Sequence, residues 1–341
     1  MRDMRKKVNK FPKVSIVVPT YNSASYIEDC LKSIYKQNYP KNKIEVIVVD
    51  SIATDDNTKQ VVGKYPVRYV KNIKKLAEPA KTFGFKKATG EYFLYLDSDA
   101  ELVSKNWIKN VIKPLLSDET IAGSTTRYMP SDRQSAFNRY LSWNSLQLWS
   151  MLSFLLPTIE SLAVEENKDY KVFLINSKKC PPVGMCVYRM NLLKKVIKNP
   201  DTFNYVDIAI PIQMSEIGFN RFAYVEDAGF FHKRSDLLHE LKRQKRDVSV
   251  TYLPVVGKRK FNYIDFKNPF DILKLVFWVI YVNLLFPSFF VGLYKTIKYQ
   301  DFAGFYELPT NLLLTDYIIY LFLSQANGRN LIKKIIKGNI N

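Results

Sequence analysis

Short apolar runs alternate with helical patterns along the first hundred residues. Apolar, β-branched runs predict four strands, at residues 14–19, 44–50, 67–70 and 91–99. Between them, residues 25–37 and 78–88 place apolar side chains at helical spacing. Strands that are apolar on both faces and alternate with helices indicate a parallel sheet covered by helices. We therefore predict an α/β sandwich.

The second half of the chain has a different pattern. Residues 136–156 predict one long helix rich in aromatic side chains, and residues 181–189 and 219–225 predict strands. Residues 275–294 carry no charge, and a bilayer span needs about 20 such residues. A second apolar run, 308–325, is interrupted by Asp316. We expect hydrophobic helices at the C-terminal end.

Polar residues lie at the carboxyl ends of three of the predicted strands or directly after them. They are Thr20–Asn22, Asp50 and Asp97–Asp99. Ligands of parallel sheets bind at the carboxyl ends of the strands. Two carboxylates two residues apart can reach one divalent cation and its phosphate oxygens, and Asp50 can accept hydrogen bonds from a base or ribose. The alternatives are a solvated turn at Asp97–Asp99 and helix capping after Asp50.

Three of these segments, in this order, resemble the family 2 glycosyltransferases of GT-A fold. They are VSIVVPTYN (14–22), EVIVVD (45–50) and ATGEYFLYLDSDAEL (88–102). The resemblance covers roughly residues 12–250. It implies a GT-A type nucleotide-diphospho-sugar transferase sandwich with a mainly parallel central sheet. It also implies a UDP- or GDP-linked sugar donor, Mg²⁺ or Mn²⁺ as cofactor, and inversion at the anomeric carbon.

The resemblance also assigns binding residues. The family often has Ala-Arg-Asn-x-Gly before the acidic strand, and this chain has Ala80-Lys81-Thr82-Phe83-Gly84. Lys81 would then bind on the phosphate side of the donor, and Thr82 stands where the family has Asn. The metal residues are Asp99, Asp97 and His232, although a lone His is also common as an ordinary surface or core residue. The nucleotide-sugar residues are Pro19, Tyr21, Asn22, Asp50, Lys81, Asp97, Ser98, Gly184, Arg243 and Arg246.

Inverting transfer needs a carboxylate that deprotonates the acceptor hydroxyl. The family supplies it from a Glu-Asp pair before a helix, and this chain has Val206-Asp207 in that place. We therefore expect Asp207 to be the catalytic base, with a helix N-cap as the alternative role. Glu216 is a poorer choice because it falls late on the predicted helix.

The charge of the chain implies an anionic partner. It has 51 Lys and Arg against 32 Asp and Glu, a net charge of +19. The excess is concentrated in residues 1–13, 233–260 and 326–341. These basic segments lie beside lipid-like segments, and the sequence has no nucleic-acid recognition motif. We therefore expect the partner to be a membrane lipid surface and not a nucleic acid. We interpret helix 136–156 as interfacial, with a buried helix as the alternative.

These patterns predict three regions. They are a basic tail (1–12), a glycosyltransferase domain (13–260, divided into a nucleotide half to about 102 and an acceptor half from about 103) and a membrane-associated helical region (261–341). The protein would lie at the cytoplasmic face of the cell membrane, either peripherally or with a transmembrane hairpin of 275–294 and 308–325. Cys30, Cys180 and Cys186 match no disulfide framework or zinc pattern, and we expect Cys180 and Cys186 to be packing residues.

The expected function is inverting transfer of a sugar from a nucleotide-sugar to a lipid-linked saccharide or polysaccharide. One alternative is a catalytically inactive scaffold or binding protein of the same fold, because Val206 and Thr82 depart from the family pattern. A sugar-phosphate nucleotidyltransferase is disfavoured. Its triphosphate would need a glycine-rich loop after the first strand, and residues 20–23 contain no glycine.

Overall fold

A computed structural model describes residues 11–73, 77–200, 208–233, 236–254 and 264–337. The chain divides into two compact units. The first comprises Met1–Tyr128 and Ile159–His232, and the second comprises Met129–Thr158 and Lys233–Asn341.

The first unit is an α/β sandwich, as the pattern predicts. Its strands are β1 (Val14–Thr20), β2 (Ile44–Ser51), β3 (Arg68–Asn72), β4 (Tyr92–Tyr95), β5 (Ala100–Leu102), β6 (Ile121–Tyr128), β7 (Ala163–Glu166), β8 (Lys171–Leu174), β9 (Val187–Arg189) and β10 (Arg221–His232). Its helices are α1 (Ile27–Tyr35), α2 (Thr58–Val62), α3 (Ala77–Lys87), α4 (Trp107–Ser117), α7 (Ile159–Leu162), α8 (Met190–Val196) and α9 (Ala209–Glu216).

The strands form one sheet in the order β3-β2-β1-β4-β9-β6-β10-β8-β7, with β5 on β10. The first four strands of this order are mutually parallel, and so are β6 and β10. The interior strands are buried on both faces, with Ile16, Val48 and Leu94 fully enclosed. This explains why their sequences are apolar without alternation.

Strand register brings the predicted polar residues to one edge. Thr20 lies beside Asp50 at the ends of β1 and β2, and Val17 lies beside Tyr95 on β4. The predicted strand 91–99 is shorter than expected, because the chain leaves the sheet after Tyr95 and returns as β5. β5 pairs antiparallel with the end of β10, with Ala100 opposite His232. The residues before Ala100 therefore lie next to His232.

Close packing of α3 on β1 depends on Gly84. A Cβ atom at this position would lie 2.3 Å from a methyl group of Val17, well inside van der Waals contact. The predicted strand 181–189 is also shorter than expected. Only Val187–Arg189 pairs with the sheet, after Met185 adopts a left-handed conformation with φ of 47°.

The second unit is helical. Its helices are α5 (Ala136–Ser142), α6 (Ser150–Leu155), α10 (Leu237–Arg246), α11 (Pro269–Asn283), α12 (Phe286–Tyr299), α13 (Glu307–Ser324) and α14 (Ala326–Ile336), with a π-helical turn at Asp247–Tyr252 and a 3₁₀ turn at Phe302–Tyr306. The helix α13 packs against α6, α10, α11, α12 and α14. It thus forms the centre of this unit.

The predicted single helix 136–156 is wrong, because the structure has two helices, α5 and α6, in its place. Asn144 lies between them, and its side chain accepts hydrogen bonds from the backbone of Leu146 and Leu148. Such local bonds compete with the helical ladder. The interfacial interpretation of this segment is also wrong for its central aromatic residues. Phe137, Tyr140 and Trp149 are buried in a core that includes Trp278 and Leu314.

The uncharged run 275–294 is not one helix either. It is divided between α11 and α12, which are bent by 78° where Leu285 adopts a φ of 61°. Pro287 has no N–H for the interior of a helix but is tolerated in the first turn of α12. Among the described residues no single helix has the length and apolarity to cross a bilayer, and only this bent pair meets both criteria when taken together.

The unit boundaries also differ from the predicted regions. The segment 129–158 belongs with the C-terminal helices and not with the acceptor half of the sheet. Arg139 makes a bidentate ion pair with Asp301, at 2.6 and 2.9 Å, and Tyr140 donates a hydrogen bond to Glu307. These contacts join segments that lie far apart in the sequence, so a pattern that is local in sequence does not reveal them.

Candidate active site

Two carboxylates and an imidazole converge after strand β4. Nε2 of His232 lies 3.3 Å from Oδ1 of Asp99 and 3.7 Å from Oδ2 of Asp97. One potential ligand atom from each residue lies within 4.8 Å of the other two. All three side chains are partly accessible. The cluster has the size and access that a single metal ion needs.

The chemistry of the cluster fits a divalent cation. Carboxylate oxygens suit Mg²⁺ and Mn²⁺, and an imidazole nitrogen is a transition-metal ligand. The nearby Cys30 is not part of this set. Burial raises the pKa of its thiol well above its usual value, and the charges of Asp99 and Asp97 raise it further. Cys30 therefore stays a protonated packing residue. Cys180 and Cys186 are also buried and protonated, as the sequence predicts.

The loop after β1 meets the acidic segment. The hydroxyl oxygens of Ser23 and Ser98 are 3.2 Å apart, and Oδ1 of Asn22 accepts a hydrogen bond from the backbone of Asp55. Asn22 has a φ of 47°, a conformation that Asn tolerates better than most residues. Tyr21 is exposed and Pro19 is partly exposed. This loop therefore joins the ends of β1, β2 and β4 into one surface.

Asp50 is a buried acceptor with four protein donors. Its Oδ1 accepts from Thr20 and Thr54, and its Oδ2 accepts from Tyr69 and Lys71. Burial alone would raise the pKa of Asp50, but these hydrogen bonds outweigh it and hold the pKa below its usual value. A carboxylate has about four lone-pair sites. A nucleoside therefore bonds directly to Asp50 only by displacing one of these donors.

Lys81 lies over an aromatic ring next to the acidic cluster. Its ammonium is 3.8 Å from the centroid of Tyr95, and both side chains are largely buried. A cation over the face of a ring is stabilised by the ring quadrupole. Tyr95 ends β4 and is two residues before Asp97, so the ring fixes Lys81 near the predicted metal residues.

The same tyrosine contacts the segment that contains Gly184. The hydroxyl of Tyr95 accepts a hydrogen bond from the backbone N–H of Met185, at 3.3 Å. A Cβ atom on Gly184 would lie 3.2 Å from the hydroxyl of Tyr128. The ring of Tyr128 in turn packs edge-on against His232, with centroids 5.6 Å apart. Lys81, Gly184 and His232 are thus linked through two tyrosines.

Comparison with known proteins identifies the family. Residues 15–152 match the sequence model of Glycosyl transferase family 2. The chain carries a family 2 glycosyltransferase domain. The matched range contains Asp50, Lys81, Asp97 and Asp99, and the rest of the sheet, including His232, lies beyond it.

Named relatives resemble the family 2 domain over part of their length. Poly(ribitol-phosphate) beta-N-acetylglucosaminyltransferase TarS of Staphylococcus aureus is 39% identical over 29% of this chain and 18% of its own length. A GalNAc(5)-diNAcBac-PP-undecaprenol beta-1,3-glucosyltransferase of Campylobacter jejuni is 36% identical over 27% of this chain and 31% of its own. The chain thus spans less than half of either relative.

A solved structure shares the fold. The mannosyltransferase PcManGT from Pyrobaculum calidifontis, in complex with GDP-Man and Mn²⁺, superposes with a TM-score of 0.51. The match covers 95% of this chain and 79% of PcManGT at 19% identity. It supports the GT-A fold of the family 2 domain.

The structure does not test three of the residues predicted for the site. Arg243 and Arg246 lie on α10 in the second unit, where Arg243 makes a bidentate pair with Glu240 and Arg246 pairs with Asp247. Asp207 lies outside the described residues. Their roles on the diphosphate and as catalytic base remain predictions.

Sequence reasoning missed Tyr95, Tyr128, Tyr69 and Lys71. In a strand that is buried on both faces, a tyrosine resembles any other core residue, so Tyr95 and Tyr128 gave no signal. A weak signal did exist for Tyr69 and Lys71. They follow β2 on the neighbouring parallel strand, with Lys71 opposite Asp50 in register, so a cation beside that carboxylate is expected from pairing.

Proposed function

We propose that the protein transfers a sugar from a nucleotide-diphosphate donor to a saccharide acceptor, with a divalent cation held by Asp97, Asp99 and His232. The observation that carries this proposal is the convergence of these three side chains at a strand end of a family 2 domain. A scaffold protein has no need of such a cluster. The imidazole favours Mn²⁺ over Mg²⁺ as the ion.

The chain's own residues would bind and orient the donor. When bound, the cation would supply positive charge to the departing diphosphate, which lowers the barrier to its loss. Lys81 adds a second positive charge that Tyr95 holds in place. Tyr69 and Lys71 hold Asp50 at the base and ribose end of the predicted pocket. UDP- and GDP-linked sugars are both compatible with these groups.

We further propose that transfer inverts the anomeric carbon and that Asp207 is the base. Its support is its place in the sequence, two residues before the start of α9, where the family has an acid. The test is the rate of transfer by Asp207→Asn, which we expect to fall at least about a hundredfold. Glu216→Gln, at the far end of α9, is the matched control. Equal rates in the two variants would remove Asp207 from the mechanism.

The proposed acceptor is a lipid-linked saccharide or a polysaccharide at the cytoplasmic face of the membrane. Support for the acceptor comes from the names of the relatives, which act on poly(ribitol-phosphate) and on an undecaprenol-linked glycan. Support for the membrane comes from the exposed apolar helices of the second unit. The family assignment alone specifies neither the acceptor nor the membrane location.

Donor turnover tests the enzymatic proposal. UDP- and GDP-sugars are incubated with Mn²⁺ and undecaprenyl-diphosphate-linked saccharides, and release of the nucleotide diphosphate is measured. We expect release by the wild type, loss of release in Asp99→Asn, and retention in Glu101→Gln, which changes a neighbouring acid on β5. Unchanged release in Asp99→Asn would contradict the metal site. No release from any donor by folded protein would favour a scaffold.

A further inference from the structure

The helix pair α11 and α12 exposes many large apolar side chains. On α11 and its C-cap, exposed residues recur at helical spacing at Phe270, Leu273, Phe277, Ile280 and Leu284. On α12 the surface continues through Phe286, Phe289, Phe290, Tyr294 and Ile297. We call these ten residues the apolar stripe. Phe270 is 73% exposed and Phe290 is 61% exposed.

Between residues 275 and 294, the opposite faces of both helices are apolar or small as well. Trp278 and Val282 of α11 are buried in the core of the unit, and so are Ser288 and Gly292 of α12. A helix that is apolar all round is ordinarily covered on every side, either by protein or by lipid. Soluble monomers rarely expose an apolar patch of this extent. The stripe is therefore a candidate contact surface.

A lysine lies near each end of the stripe, and Asp271 accompanies the first of them. Lys274 is exposed beside Phe270 and Phe277, and Lys298 is exposed with its ammonium 5.8 Å from the ring of Tyr294. From residue 275 to residue 294 there is no charged side chain at all. Apolar contact bounded by lysines and tyrosines matches lipid, whose acyl chains take up the centre while its headgroups meet the ends.

The shape of the pair indicates how it meets the lipid. The helix α11 has 15 residues and α12 has 14, so each is about 20 Å long, shorter than the hydrocarbon core of about 30 Å. The two axes are bent by 78°. A pair with this bend presents its stripe to a single leaflet more readily than it crosses two.

We propose that α11 and α12 form an interfacial membrane anchor that inserts the apolar stripe into one leaflet, with Lys274 and Lys298 on anionic headgroups. This inference rests on the membrane part of the proposed function, and lipid binding can be measured without measuring turnover. A failure to bind lipid would leave the transferase activity untouched, and an inactive enzyme could still bind lipid.

Vesicle flotation tests the surface. The probe is roughly three parts phosphatidylcholine to one part phosphatidylglycerol, which carries the anionic charge of a cytoplasmic leaflet. We expect the wild type to float with the vesicles and the double variant Phe277→Ser with Phe290→Ser to bind at least about ten-fold more weakly. The matched controls are Val250→Ser and Ile73→Ser, exposed apolar residues off the stripe, which should bind like the wild type.

A second double variant tests the two lysines at the ends of the stripe. Lys274→Gln with Lys298→Gln should weaken binding to the anionic vesicles several-fold and leave binding to pure phosphatidylcholine unchanged. Thermal midpoints should match the wild type in every variant, because each changes an exposed side chain. Binding that survives the Phe277→Ser and Phe290→Ser pair would overturn the proposal. So would a wild type that ignores vesicles and forms a dimer that the same two substitutions dissociate.

Depth measurements separate an interfacial anchor from a span. The three native cysteines are buried, so a fluorophore attaches selectively to a cysteine introduced by Phe290→Cys or Leu284→Cys. We expect both positions to be quenched more strongly by lipids labelled near the headgroup than by lipids labelled near the chain end. Stronger quenching of Leu284→Cys by the deep label would contradict the one-leaflet arrangement.

Discussion

The ammonium of Lys81 lies 3.8 Å above the ring of Tyr95, and the hydroxyl of the same tyrosine accepts a hydrogen bond from the backbone of Met185. One side chain thus contacts a predicted phosphate-binding residue and the segment that follows Gly184. Because Tyr95 is also the last residue of β4, these contacts fix Lys81 and the segment after Gly184 relative to Asp97 and Asp99. We therefore expect Tyr95 to be a positioning residue.

Two substitutions separate the contacts of Tyr95. Tyr95→Leu removes the ring, and since a desolvated cation–π contact contributes about 1–2 kcal/mol, the nucleotide diphosphate should bind about ten-fold more weakly. Tyr95→Phe keeps the ring and removes only the bond to Met185, so nucleotide affinity should stay close to that of the wild type. The measurement is the Kd by calorimetry. Equal losses in both variants would show that the ring does not position Lys81.

The chain has two histidines, which provide a matched pair for the metal site. His232→Ala removes an imidazole that lies 3.3 Å from Asp99, so we expect affinity for Mn²⁺ to fall at least about ten-fold. His239→Ala changes an exposed residue on α10 in the second unit and should leave Mn²⁺ affinity unchanged. Mn²⁺ binding is measured by electron paramagnetic resonance. Identical affinities in the two variants would exclude His232 as a ligand.

Steric room at Gly184 can be tested by rescue. Gly184→Ala places a methyl group 3.2 Å from the hydroxyl of Tyr128, so one of the two must shift by a few tenths of an ångström. We expect kcat/KM for transfer to fall. Tyr128→Phe removes that hydroxyl, and the double variant should recover activity toward that of Tyr128→Phe alone. A double variant no better than Gly184→Ala would refute this account of the glycine.

A buried ion pair stabilises the second unit. Glu307 accepts hydrogen bonds from Lys295, Tyr140, Ser150 and Asn311. Lys295→Met leaves this carboxylate buried without its cation, and we expect a loss of roughly 3 kcal/mol in the free energy of unfolding. Denaturation is followed by tryptophan fluorescence, since Trp143, Trp149 and Trp278 lie in this unit. Lys298→Met, which changes an exposed lysine, should cost less than about 0.5 kcal/mol.

Acidification provides the control for this ion pair. Burial would raise the pKa of Glu307, but Lys295 and the hydrogen bonds outweigh it and hold the pKa below its ordinary value of 4.5. The ionised group therefore stabilises the fold above about pH 4.5, and this contribution is lost as the pH falls through the lower folded-state pKa. The stability gap between the wild type and Lys295→Met should narrow over that range. A gap independent of pH would contradict a charge-based cause.

The sequence predicts the part of the fold that depends on local pattern. Apolar runs mark β1, β2 and β4, and parallel pairing then brings Asp50 and Asp97 to one edge without further information. The proximity of His232 to Asp99 depends on the pairing of β5 with β10, which the pattern did not reveal. Only the resemblance to the family connected these two residues beforehand.

The features that the sequence did not reveal depend on distant contacts or on single side chains. Asn144 interrupts an otherwise helical pattern by accepting hydrogen bonds from the backbone of Leu146 and Leu148, and Pro287 divides an uncharged run. The second unit is assembled from segments that are distant in the chain, joined by Arg139 to Asp301 and by Tyr140 to Glu307. A buried carboxylate such as Glu307 looks like an exposed one until its partners are known.

Calorimetric titration with UDP and with GDP, each with and without Mn²⁺, tests the central claim most directly. The proteins are the wild type and Asp99→Ala, with Glu101→Gln as the matched control. The account predicts that one nucleotide binds to the wild type and the control only when Mn²⁺ is present, and that Asp99→Ala abolishes this binding. Folded wild-type protein that binds neither nucleotide, or that binds equally well without Mn²⁺ and in Asp99→Ala, would contradict it.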